Sequence, residues 1–277
     1  MSGSNSAALA QARGRIPISE ARLLLKHVLS CTTAHLEAHA NDLLPAQAAA
    51  RFSDLVTRRA AGEPIAYLTG VREFYGRAFA VTPAVLIPRP ETELLIDLAL
   101  SRLRGIAQPR LLDLGTGSGC IAITLALELE QAEITATDLS TDALALARLN
   151  AARHGAILHC VHGDWFESLG DARYHLIVAN PPYIPVDDPH LSRGDLRFEP
   201  ALALRGGVNG LAAIRHIVES SAGHLVPGGG LLFEHGYDQA EAVRELLEAS
   251  GYVDIQQHRD LAGILRVSGA LLADQVG

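Results

Sequence analysis

The chain has 277 residues, 48% of them hydrophobic but only 5% aromatic, and a formal net charge of −8. That length allows two domains with a core in each. The acidic balance, with no Arg/Lys run longer than Arg58-Arg59, counts against a specific nucleic-acid binder, which would carry a basic stripe. No run reaches the ~18 apolar residues of a membrane span, and the first residues lack the basic-then-apolar order of a secretion signal.

Cys31, Cys120 and Cys160 show no C-x-x-C spacing and read as small buried hydrophobes in a reducing, cytoplasmic setting. Twelve histidines invite a metal reading, but His154, His159 and His162 lack a paired helical spacing with acids and no HExxH occurs, so no metal site is expected. Lys26 is the only lysine, and nearly all positive charge is arginine.

Residues 1–15 are Ala/Ser/Gly-rich and predict a disordered tail. A helical domain follows over 16–75. Ala21, Leu24, Leu25 and Val28 have helical spacing, which predicts a helix over 19–29 with Ser19 as a possible cap. Further helices are expected over 36–41 and 46–61, the last stopped by Gly62-Glu63-Pro64. This domain has no catalytic signature and is read as a partner-recognition module, with a plain stabilising cap as the competing reading. Alternation around Arg77-Ala78-Phe79-Ala80-Val81 predicts a β-hairpin linker, assigned to 76–90, and residues 91–277 form the catalytic domain. There a helix over 92–104 precedes strands at 110–114, 133–137, 156–161, 175–179, 229–235, 251–257 and 264–269, mostly alternating with helices. That order predicts an α/β, Rossmann-like fold: a largely parallel sheet covered on both faces.

The chemistry-bearing residues fall at successive strand ends. Asp113-Leu114-Gly115-Thr116-Gly117-Ser118-Gly119 runs from a strand through a glycine turn into an apolar helix. The spacing is G-x-G-x-G, which is neither the dinucleotide pattern nor a P-loop. Asp113 would sit awkwardly beside a pyrophosphate and suits the cationic methionine end of S-adenosylmethionine. Asp138, ending the second strand, is placed for ribose hydroxyls. Ser140 or Thr141 begins the next helix, to His154. Asp164 can accept from an adenine amine, and Trp165 can pack on the ring. Asn180-Pro181-Pro182-Tyr183 follows the apolar strand His175–Ala179. The Asn oxygen can accept from a planar NH2, the prolines stiffen the turn and donate nothing, and the Tyr ring offers a flat wall. The nitrogen lone pair of such a substrate is then left free. Residues 184–208 show no clear helix or strand, and a long irregular segment beside such a tetrad is read as covering the substrate.

Nearly the whole chain resembles the class I S-adenosylmethionine-dependent methyltransferases of the N5-glutamine family, most closely the peptide chain release factor glutamine methyltransferases (PrmC/HemK). The resemblance rests on the Gly loop, on NPPY and on several longer segments. These are Gly62–Gly70, Arg72-Glu73-Phe74-Tyr75, Leu86-Ile87-Pro88-Arg89-Pro90-Glu91-Thr92-Glu93, Gly163–Phe166, Arg197-Phe198-Glu199-Pro200 and Leu231–Gly236. It implies a seven-stranded sheet with an antiparallel seventh strand. It also implies methylation of the side-chain amide in a Gly-Gly-Gln loop of class I release factors, modulating translation termination. Gly115 to Gly119 would wrap the methionine part of the cofactor, Asp138 would bind ribose and Trp165 would lie against adenine. Asn180 and the Pro181 carbonyl would hold the glutamine NH2, with Asn180 also near the cofactor, Pro182 shaping the turn and Tyr183 the pocket. Phe74, Arg89 and Glu91 would line the entrance near cofactor and substrate. The enzyme is expected to act as a monomer on a protein substrate, without direct nucleic-acid or membrane binding. Near the C-terminus, Asp260–Val267 carries apolar residues where the family shows polar ones. Rival readings are a glutamine methyltransferase of a large-subunit ribosomal protein, a nucleic-acid amino methyltransferase, which NPPY also suits, and a non-enzymatic protein with a dead cofactor fold.

Overall fold

The structure, a computed structural model, describes residues 3–273. The chain divides into two units. One comprises the residues up to Val71 together with Arg193–Phe198, and the other comprises Arg72–Ser192 and the chain from Glu199 onward.

The first unit is helical: α1 (Asn5–Ala12), α2 (Ile18–Leu29), α3 (Thr33–Ala38), α4 (Ala46–Ala60) and α5 (Ile65–Thr69). Leu24, Leu25, Leu36, Leu44, Phe52 and Val56 form its core. The expected disordered tail is corrected here, because residues 5–12 are helix. An Ala-rich run costs little to order as helix. The Ser4 side chain accepts from the Ala7 N–H, Ala12 is buried, and Asn5 Nδ2 donates to the His39 carbonyl at 3.0 Å. The start of α2 is also corrected: Pro17, whose fixed φ leads into a helix, precedes Ile18, and Ser19 caps nothing. Helix α3 begins earlier than expected because Thr32 accepts from the His35 N–H at 3.2 Å. Arg59 forks onto both oxygens of Glu20 at 2.7 and 2.9 Å and reaches Asp195 at 3.2 Å.

In the second unit a hairpin pairs β1 (Val71–Phe74, whose first residue closes the other unit) with β2 (Arg77–Ala80), so it begins before residue 76. A 3-10 turn, Pro90–Thr92, leads into α6 (Glu93–Arg102). Then come β3 (Arg110–Leu114), α7 (Cys120–Glu128), β4 (Glu133–Asp138), α8 (Thr141–His154), β5 (His159–His162) and β6 (Tyr174–Ala179). The chain ends with α9 (Ala201–Leu204), α10 (Ala212–Ser221), β7 (Leu225–Glu234), α11 (Ala240–Ala249), β8 (Tyr252–Arg259) and β9 (Leu265–Leu272). Seven strands form one sheet in the order β5-β4-β3-β6-β7-β9-β8. Those from β5 to β7 are parallel, and β9 runs antiparallel to both its neighbours.

Alternation along β3 divides the two faces, as the two-residue period of a strand requires. Leu111 packs with Leu95, Ile96 and Ile123 of α6 and α7, and Leu112 and Leu114 with Ile214, Ile217, Val243 and Leu247 of α10 and α11. The sheet winds outward from β3 in both directions, and loops beyond the strand carboxyl ends there are the usual ligand position in such folds.

Candidate active site

At that position lies a cavity of about 480 Å³. Its wall includes Gly115, Thr116, Gly117 and Ser118 after β3, Asp138 ending β4, Asp164 and Trp165 after β5, Asn180 and Pro182 after β6, and Arg89.

The glycine turn is held from beneath. Asp113 is buried, with its Oδ2 accepting from the Thr116 hydroxyl at 2.6 Å, and Thr116 N–H donates to the Thr137 carbonyl at 2.9 Å. Burial pushes the Asp113 carboxyl up to about 7, partly opposed by the Thr116 hydroxyl. Asp113 is thus a support of the loop and does not form part of the cavity wall. Gly119 is not on the wall either: a Cβ there would lie 3.2 Å from the Ala147 Cβ and 2.9 Å from Ile123, so its missing side chain lets α7 pack on α8. Asn150 of α8, fully buried, donates to the Ser118 carbonyl at 2.9 Å and the Ala80 carbonyl at 3.0 Å and accepts from Ala80 N–H at 2.8 Å. One amide so ties the glycine turn to the hairpin.

Asp138 takes one backbone N–H on each oxygen, from Gly117 at 2.9 Å and from Ser140 at 2.8 Å. Burial raises its pKa, and these two donors oppose the rise. Ser140 caps α8 by accepting from the Ala143 N–H. The hydroxyl of Thr137 is buried without a partner among the described residues, and Thr137 lines the cavity. An orphaned buried polar atom beside an acid with spare lone pairs fits a hydroxyl-bearing ligand. Trp165 holds φ at 48°, uncommon for a bulky residue, while its ring faces the cavity.

Asn180 is oriented by its neighbours. Its Nδ2 donates to Thr92 Oγ1 at 3.1 Å, and the Thr92 hydroxyl donates to Glu234 Oε2 at 2.6 Å. The Tyr183 hydroxyl donates to Glu234 Oε1 at 2.9 Å. Glu234 is buried at the end of β7, and burial raises its pKa against the two hydroxyl donors. Burial and the adjacent Glu234 raise that of Tyr183. The Tyr183 backbone is braced as well. Its carbonyl accepts from Gln239 Nε2 at 3.0 Å, and a Cβ on Gly210, at φ 74°, would lie 2.2 Å from that carbonyl.

Several expected site residues are placed elsewhere. Phe74 does not line an entrance. It is 1% exposed, edge-on to Phe79 in the core, because an inward-facing strand aromatic buries more apolar area there. Tyr183 turns its hydroxyl to Glu234, and neither it, the buried Pro181 nor the exposed Glu91 is on the cavity wall. Arg89 does line the cavity, and its guanidinium pairs with the buried carboxylate of Glu199, whose other oxygen accepts from Ile87 N–H at 3.2 Å. The expected irregular stretch is bonded to itself: Ile184 N–H donates to Leu204 O and Gly206 N–H returns to Ile184 O. Thr92, Asn150, Glu199 and Glu234 were not singled out from the sequence. Three of the four lie in segments quoted for the resemblance, but their partners are remote in the chain.

A glycine turn and strand-end acids around a cavity in this sheet define a methyltransferase of the seven-stranded, Rossmann-like class. The chain is similar in fold to a methyltransferase from Pyrococcus furiosus (TM-score 0.56, 20% identity, 80% of this chain and 99% of that one). It is likewise similar to the hMettl16 catalytic domain (TM-score 0.58, 19% identity, 81% and 84%). The PrmC N-terminal domain family model matches residues 5–70, and the methyltransferase small domain model matches residues 91–190. The chain is 54% identical to the release factor glutamine methyltransferase of Bordetella pertussis over 93% of its own length and 96% of that protein. It is 47% identical to that of Escherichia coli strain K12, over 91% of each. The chain belongs to the release factor glutamine methyltransferase family. Among the described residues, no helix is long and apolar enough to cross a membrane, and no cluster of His, Cys, Asp or Glu suited to a metal occurs.

Proposed function

We propose that this enzyme methylates the side-chain amide nitrogen of the glutamine in the Gly-Gly-Gln motif of class I peptide chain release factors, with S-adenosylmethionine as methyl donor. The observation that carries the reading is that one cavity wall joins Asn180 and Pro182 to the glycine turn, Asp138 and Trp165. When bound, S-adenosylmethionine supplies an electrophilic methyl carbon on a sulfonium sulfur. Asp138 accepts from ribose hydroxyls, Trp165 packs on the adenine and Asp164 takes its amine, while the turn at Gly115–Ser118 cradles the methionine part.

A glutamine amide is a feeble nucleophile, and Asn180 acts on it by orientation. Its Nδ2 is engaged by Thr92, which leaves Oδ1 as the acceptor for the substrate NH2. The resemblance implies the Pro181 carbonyl as a second acceptor, but Pro181 is buried off the cavity wall, so the reading rests on Asn180, and neither proline competes as a donor. An acceptor placed this way holds the hydrogens, favours positive charge developing on nitrogen and leaves its lone pair free for the methyl carbon. The carbon–sulfur bond would break as the carbon–nitrogen bond forms, S-adenosylhomocysteine would be the leaving product, and the surplus amide proton would pass to water. Positioning of this kind contributes roughly 7–11 kcal/mol in favourable cases. The acidic chain suits a basic, RNA-binding protein partner. We further propose that the first unit recognises that partner, and that the enzyme works as a cytoplasmic monomer.

The test is methyl transfer from labelled S-adenosylmethionine to a purified class I release factor, beside its Gly-Gly-Gln to Gly-Gly-Ala variant. Labelling of the unaltered factor alone is expected. Labelling of neither, with cofactor still bound, would reject the release factor and turn attention to a ribosomal-protein glutamine and then to nucleic acid.

A further inference from the structure

We propose that Thr92 and Glu234 are positioning residues that set which end of the Asn180 side-chain amide faces the substrate; this rests on the role given to Asn180 above. An Asn amide has two ends of similar size and opposite hydrogen-bonding character, an NH2 donor and a carbonyl acceptor. Only the carbonyl end can hold a substrate amide by its hydrogens. With the NH2 end turned to the cavity, the site would present a donor to a donor. The local sequence does not decide between these two orientations, because the two prolines that follow Asn180 offer it no N–H.

The choice is made by a chain of hydrogen bonds ending in a carboxylate. Glu234 takes a different hydroxyl on each oxygen, Thr92 on Oε2 and Tyr183 on Oε1, so both of its oxygens act as acceptors. Thr92 has one hydroxyl proton. Once that proton points to Glu234, the oxygen of Thr92 can serve Asn180 only as an acceptor, and Nδ2 must face it. A flipped Asn180 would set its carbonyl against the Thr92 lone pairs in a buried place, where an unmatched polar contact is costly. Thr92 is 2% exposed and Glu234 1%, so water does not readily substitute for either link. Thr92 also lines the cavity beside Asn180, whereas Glu234 lies behind it, off the cavity wall.

Isosteric variants of the full-length enzyme test the relay, with kcat on a class I release factor and cofactor affinity by calorimetry measured for each. Thr92→Val keeps shape but removes the acceptor, and kcat is expected to fall about tenfold or more with cofactor affinity unchanged. Thr92→Ser restores the hydroxyl and is expected to recover most of kcat. Glu234→Gln is the sharper probe. Its amide NH2 can donate to Thr92, which reverses the relay and sends the Thr92 proton toward Asn180, so kcat falls without a drop in Tm. Wild-type kcat in Thr92→Val or in Glu234→Gln, losses matched by lost cofactor affinity, or no recovery with Ser would each overturn the proposal. Asn180→Ala separates the two levels: if it is inactive while Thr92→Val is fully active, only the relay fails. If Asn180→Ala is itself fully active, the role of Asn180 fails and the relay with it.

Discussion

The ends of β3 and β6 meet the same cavity but are built in different ways. After β3 the glycine turn is held over short and moderate separations: Asp113 accepts from Thr116 three residues on, and the Gly117 N–H donates to Asp138, 21 residues on at the end of the next strand. After β6 the decisive side chain, Asn180, is oriented by Thr92, 88 residues earlier in the chain, and through it by Glu234, 142 residues beyond Thr92. The glycine turn thus draws on its own motif and on adjacent elements, whereas Asn180, proposed above to aim the substrate nitrogen, is held by segments far apart in the chain that only folding brings together.

The strongest challenge to that contrast is Asn180→Ala. Losing an acceptor aimed at developing charge should lower turnover roughly 10²–10³-fold while leaving cofactor affinity nearly unchanged. Stopped assays beside calorimetry read both quantities, and equal losses in each would mean that the two strand ends do not divide the labour as described. Asp138→Ala should do the reverse: cofactor affinity falls by about 1.5–3 kcal/mol, the range for hydrogen bonds to a charged group, with a smaller change in turnover at saturation. Unchanged affinity would remove Asp138 from the ribose role.

Asn150→Ala probes whether the glycine turn is as local as its sequence suggests. It strips partners from the Ser118 carbonyl and from both polar groups of Ala80. A loss of about 1–3 kcal/mol in unfolding free energy is expected for buried groups left unpaired. A weaker cofactor complex in that variant would show the turn leaning on α8.

The smallest effect concerns pH. The Asp113 carboxyl has its pKa raised from 3.8 to about 7, chiefly by burial, so the folded protein binds that proton more tightly than the unfolded chain. Stability therefore declines as pH rises from about 4 toward 7, where the folded state must ionise a buried acid. Asp113→Asn, which can still accept from Thr116, should flatten the fall in Tm between about pH 4.5 and 7. Asp138 is also raised by burial and acts in the same direction, so the slope shrinks without vanishing. An unchanged slope would show that Asp113 is not the main titrating group.

Much of this molecule is legible in the amino-acid order. The strand core of β3, the α8 cap at Ser140 and the glycine turn follow from two-residue alternation, capping chemistry and backbone freedom, which are local properties. The ordering of the first residues is not legible for a related reason. Composition alone shows an Ala/Ser run, while the helix depends on Asn5 reaching His39 and on Ala12 finding a core. Phe74 was placed at an entrance by resemblance, yet the strand turns it inward. The sequence by itself determined the sheet class and the strand-end positions of Gly115–Ser118, Asp138, Trp165 and Asn180, because periodicity and turn chemistry are written residue by residue. Only the tertiary structure decided that Asp113 supports the loop from behind, that Glu199 is the buried partner of Arg89, and that Glu234 is linked to Asn180 through Thr92. A hydrogen bond between distant segments has no local signature; it exists once folding has brought its two ends within about 3 Å in a place that water does not contest.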